Sequence, residues 1–95
     1  MGLSKYANRR DANEPEIIKA FEAMGCTVIQ LDAPTDLLLG IRGLNLLVEV
    51  KDGNKPPSRR KLTPNQKTFW AEWNGQKAKV ETVDDAIALI QGLTL

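Results

Sequence analysis

Glu49 and Lys51 close an apolar run, Leu46-Leu47-Val48-Glu49-Val50-Lys51. The run has the composition of a β-strand. Side chains alternate across a strand, so Glu49 and Lys51 share one face while Val48 and Val50 point into a core. Upstream stands Asp36, directly before Leu37-Leu38-Leu39. If that second run is the neighbouring antiparallel strand, Asp36 approaches Glu49. Two carboxylates and a lysine at one point make a divalent-metal site with a group that can act on water. A Glu–Lys pair at a strand end, taken alone, also describes an ordinary surface ion pair of little energetic weight.

The elements that must position these residues follow from turn formers and periodicity. Asn13-Glu14-Pro15-Glu16 opens a helix, with Asn13 as N-cap and Pro15 in the first turn. Ile17, Ile18, Phe21 and Met24 give it one apolar face, and Gly25 ends it. Cys26 to Leu31 reads as a strand, Asp32 to Thr35 as a turn, and Leu37 to Ile41 as a strand covered on both faces. Gly40 is a candidate bulge. Arg42-Gly43 makes the hairpin turn, with Leu44-Asn45 on its far side. A loop of prolines, Gly53 and basic residues follows Lys51. Thr63 and Pro64 start a second helix that runs to about Trp73, Lys77 to Glu81 forms a fourth strand, and Thr82 caps a last helix that Gly92 ends. The predicted fold is α/β (α+β), in the order α-β-β-β-α-β-α. A mixed sheet is flanked by helices, and the crossover makes the last pairing parallel. Residues 1–12 are expected to form a basic flexible arm, and residues 13–95 a single domain.

Asp36 followed by Glu49-Val50-Lys51 resembles the PD-(D/E)XK nuclease superfamily. The more specific resemblance is to the small VRR-NUC domains of phages and bacteria, over roughly residues 13 to 90. Leu62-Thr63-Pro64-Asn65-Gln66 is similar to the L-[ST]-P-x-Q start of their second helix, where the glutamine faces the active site. Thr35 departs from the pattern, standing where the superfamily's name has a proline. The resemblance implies a restriction-endonuclease-like core. It also implies a glutamate near the start of the first helix that faces the metal; Glu14 is preferred for that role over Glu16.

The resemblance implies phosphodiester hydrolysis. Asp36, Glu49, the Val50 carbonyl and Glu14 are the expected holders of one or two Mg²⁺ ions, for which Mn²⁺ can substitute. Lys51 would orient water, deprotonate it, or stabilise the transition state by charge. A lysine serves as a base only with a depressed pKa, and two neighbouring carboxylates oppose that, so orientation and charge are favoured. Gln66 would hydrogen-bond Lys51, a water or the phosphate. The alternative use of the same fold is a non-catalytic DNA-binding module. A third reading, an interaction protein with an accidental Glu-x-Lys, requires the basic loop to be inert.

Charge distribution supports a phosphate-bearing partner. From Lys51 to Lys67 there are six basic residues against one acid, whereas Glu81 to Leu95 holds three acids and no Lys or Arg. Lys55, Arg59, Arg60 and Lys61 are the main candidates for phosphate contact, with Arg42 and Lys67 behind them. Phe69, Trp70 and Trp73 read as core or subunit interface rather than as base-stacking platforms. The related domains look like Holliday-junction resolvases and form two-fold dimers. The expected partners are therefore branched or junction DNA and a second copy of the chain. Composition narrows the chemistry further. The chain has no histidine and one cysteine, which excludes histidine catalysis, a cysteine zinc site and an internal disulfide. At 95 residues it affords one small domain. No run is long enough to cross a membrane, and the expected location is a bacterial cytoplasm.

Overall fold

The computed structural model describes residues 11–93. Helix α1 spans Glu14–Ala23, and strands β1, β2 and β3 span Thr27–Gln30, Leu37–Ile41 and Leu44–Val50. A 3-10 turn at Pro57–Arg59 leads to helix α2, Pro64–Glu72, then β4, Lys77–Val80, and helix α3, Val83–Gln91. The element order is the one read from the sequence. The expected arm lies outside the described residues except for Asp11 and Ala12.

One sheet carries the strands in the order β1-β2-β3-β4, the first two pairings antiparallel and the last parallel. Alternation divides it into two unlike faces. Leu37, Leu39 and Ile41 of β2, Leu46, Val48 and Val50 of β3, and Val80 of β4 pack with Ile17 and Phe21 of α1 and Ala86 and Ile90 of α3. Leu38 is only half-buried and Ile29 is 52 % exposed, so β2 is covered fully on one face, not on both as its hydrophobic run suggested. Gly40 forms no bulge: it pairs regularly with Thr27 and Asn45.

Local sequence explains the punctuation. Arg42 and Gly43 both have positive φ, 49° and 83°, which suits a two-residue hairpin turn whose twist matches the strands. The turn is tighter than expected, and β3 begins directly at Leu44. Gly25 has φ 93° and closes α1: its N–H reaches the Glu22 carbonyl, and the Cys26 N–H reaches that of Phe21. Thr63 and Gln66 form a capping box at the start of α2, and Thr82 caps α3 through the Asp85 N–H.

Helix α2 is the exception to the packing. None of its residues is buried, and Phe69, Trp70 and Trp73 join neither the core nor each other's shadow completely. Phe69 stacks on Trp73 with ring centroids 5.7 Å apart, and Trp73 stays 41 % exposed. The helix is tied down at its ends instead: Lys77 Nζ donates to the Trp70 and Trp73 carbonyls at its C-terminal end.

Candidate active site

Three elements meet where β2 begins and β3 ends. Thr35, buried before β2, turns its hydroxyl onto the Leu37 carbonyl. Asp36 then projects toward β3, where its Oδ2 accepts the Val50 N–H at 2.8 Å. The antiparallel register sets Leu37 opposite Val48, which brings Asp36 level with Glu49. The two carboxyls are close enough to hydrogen-bond. Glu49 is only 4 % exposed. Burial, then the negative charge of Asp36 and the hydrogen bond between them, push its carboxyl up to about 8, with Lys51 opposing. A cation between the two facing carboxyls would relieve this repulsion.

Lys51 and Gln66 complete the cluster. Lys51 Nζ lies 3.7 Å from Glu49 Oε2 and donates to Gln66 Oε1 at 2.9 Å. Gln66 Nε2 donates to Glu49 Oε2 at 2.8 Å. The same Gln66 oxygen accepts the Thr63 N–H at 2.8 Å, so the cap of α2 and the Glu49–Lys51 pair depend on one side-chain amide. Because Glu49 points away from the core, these bonds place the start of α2 over the open face of the sheet.

Glu14 is 1 % exposed and sits at the same end of the sheet, where Gln30 Nε2 donates to its Oε2 at 3.0 Å. Gln30 pairs with Leu37, next to Asp36. Among the described residues, however, no three acids are grouped so that they could hold one ion. The carboxyls that face each other here, and that could hold a hard divalent cation such as Mg²⁺ together with waters, are Asp36 and Glu49. Glu16, on the same helix as Glu14, is exposed.

The basic residues divide into two groups. Lys55 pairs with Asp11 at 3.2 Å, and Arg60 with Glu81 at 3.0 Å. Both are half-buried and engaged within the fold. Arg59, Lys61 and Lys67 are exposed, the first two before α2 and the third in its first turn, next to Gln66 in the chain. Arg42 occupies the hairpin turn at the far end of β2, about 20 Å along the strand from Asp36.

Lys79 is a site-face residue that sequence reasoning missed. It pairs with Glu49 in the parallel β3–β4 register, so both side chains leave the same face. Its ammonium is 3.5 Å from Glu81. A strand pattern alone could not reveal this, because the neighbour of β4 is chosen by the crossover through α2.

Neither a family model nor a curated protein matches the sequence. Among solved structures, a chain described as "VRR_NUC domain" matches 88 % of this chain and 100 % of its own, with TM-score 0.64 and 24 % identity. At that identity the likeness is one of fold. It agrees with the mixed sheet, the parallel last strand and the α-β-β-β-α-β-α order. The chain has the restriction-endonuclease-like fold of a VRR_NUC domain.

Proposed function

We propose that this nuclease-fold domain is a Mg²⁺-dependent endonuclease that hydrolyses DNA phosphodiester bonds, selecting branched or junction structure. The observation that carries the reading is the Asp36–Glu49 carboxyl pair locked to Lys51 through Gln66. A bound Mg²⁺, for which Mn²⁺ can substitute, would supply positive charge at the phosphate and acidify a water. Asp36, Glu49 and the Val50 carbonyl would hold it. Glu14 acts beside this set, through the hydrogen bond with Gln30 that holds it at the start of β2.

The chain's own residues do the rest. Lys51, fixed by Gln66 Oε1, presents an ammonium to the charge that develops on the phosphoryl oxygens. Gln66 keeps both Glu49 and Lys51 in place without adding charge. Arg59, Lys61 and Lys67 draw the DNA backbone to the open face independently of sequence. The same reading takes the working form as a two-fold homodimer, in which a second copy covers apolar surface such as Ile29 and Trp73. Two sites at fixed separation suit paired scissile strands.

The test is cleavage of labelled duplex, single strand, flap, splayed arm and four-way junction, each with Mg²⁺, with Mn²⁺ and with chelator. Metal-dependent cutting that favours the branched forms is the expected result. Equal cutting of linear duplex would remove the structural selectivity. No cutting, with metal-independent DNA binding, would favour the non-catalytic module.

A further inference from the structure

Asn13 is placed as a helix cap but does not behave as one. It precedes Glu14 at the N-cap position of α1, yet its side chain makes no cap hydrogen bond and its backbone is helical, φ −84° and ψ −5°. The residue is 7 % exposed. Its Nδ2 instead donates twice, to the Lys51 carbonyl at 3.1 Å and to the Glu81 carbonyl at 2.9 Å. Its own Oδ1 is buried without a partner among the described residues. An unsatisfied buried acceptor is costly, so the position favours asparagine for its two donors and not for its oxygen.

The two carbonyls belong to the ends of the parallel strands β3 and β4. Beyond Val50 the chain has left its antiparallel partner β2, and the described register with β4 ends at Val80. Lys51 is held there by its N–H on the Val80 carbonyl and by Asn13 on its own carbonyl. Glu81 O accepts from Gly53 as well as from Asn13, which closes the first turn of the basic loop onto β4. One amide thus fixes the backbone of Lys51 and, through the next residue in the chain, the start of the helix that carries Glu14.

We infer that Asn13 is a positioning residue: its two-carbonyl latch sets the backbone of Lys51, and so the aim of the ammonium at the Asp36–Glu49 pair. The inference rests on the nuclease reading for its kinetic consequence, but not for its structural one. Aspartate distinguishes the two roles of the position. It is as good an N-cap as asparagine, yet it has no N–H to give and sets a carboxylate against two carbonyl oxygens. Serine caps well too, and is too short to bridge both strands.

The experiment compares wild-type protein with Asn13→Asp and Asn13→Ser. It records melting, DNA cleavage and the side-chain amide resonances of Gln66, which report the Gln66–Glu49–Lys51 network without any catalysis. The latch predicts folded variants, kcat lower by about 10- to 100-fold, KM for DNA within about twofold, and Gln66 resonances moved toward those of a solvated amide. Unchanged cleavage with unmoved Gln66 resonances would overturn it. Failure of both variants to fold would also overturn it, by making Asn13 a residue of the fold and not of the site. A wild-type protein that never cuts, but whose Gln66 resonances move in the variants, would defeat the nuclease reading and leave the latch standing.

Discussion

Lys51 donates from Nζ to Gln66 Oε1 at 2.9 Å, and that oxygen also accepts the Thr63 N–H that begins α2. Fold and site therefore share one atom. Gln66→Glu separates them. A glutamate still completes the capping box, whereas its second oxygen faces Glu49 without the Nε2–H donor that Gln66 gives it. The variant should melt close to wild type and cut DNA about a hundredfold more slowly. Thr63→Ala removes only the cap, and should cost about 1 kcal/mol of stability by chemical denaturation.

The Asp36–Glu49 pair makes the metal-free protein sensitive to pH. Glu49 titrates near 8 in the folded chain, well above its ordinary value of 4.5, because burial and Asp36 disfavour its charge. The folded state thus binds this proton more tightly than the unfolded one. That contribution to stability is complete below pH 4.5 and is lost as pH rises through about 8. Thermal melts in chelator should show a declining midpoint from pH 5 to pH 8.5, with the decline reduced in Glu49→Gln. Mg²⁺ competes with the proton, so its stabilising effect should be larger at pH 8.5 than at pH 6. A flat profile in chelator would contradict the raised Glu49 carboxyl.

DNA affinity should sort the basic residues by their engagement within the fold. Arg59→Ala, Lys61→Ala and Lys67→Ala should each weaken binding uniformly across sequences and lower the salt dependence by about one charge. Lys55→Ala should weaken it less, because Lys55 is paired with Asp11. Arg42→Ala, at the far end of the hairpin, should leave it unchanged. Titrations at several salt concentrations check all five.

These predictions also mark what the sequence could convey. Glu49-x-Lys51 on one strand face, Asp36 at the head of the adjacent strand and Thr63 with Gln66 at a helix start are local patterns; the structure brings Asp36 to Glu49 as spacing implied, and Gln66 to Lys51 as the resemblance implied. The engagements of Lys55 and Arg60 were not legible, since Asp11 and Glu81 lie 44 and 21 residues away. The same holds for Lys79, whose neighbour depends on the parallel crossover. Asn13 misled for a different reason. Asparagine is a good N-cap, and nothing in a helix-start pattern says that its donors go to two strand ends instead. The three aromatics of α2 suggested a buried face, but that helix is anchored by Gln66 and Lys77 and leaves Trp73 at the surface.

The central claim is that Lys51 works with a metal held by Asp36 and Glu49. It is tested most directly by single-turnover cleavage of one labelled junction by wild type and by Lys51→Ala, in Mg²⁺ and in chelator. The account predicts cutting by wild type in Mg²⁺ only, and at least about a hundredfold less by the variant at equal DNA affinity. Equal rates in the two proteins, or cutting that persists in chelator, would contradict it.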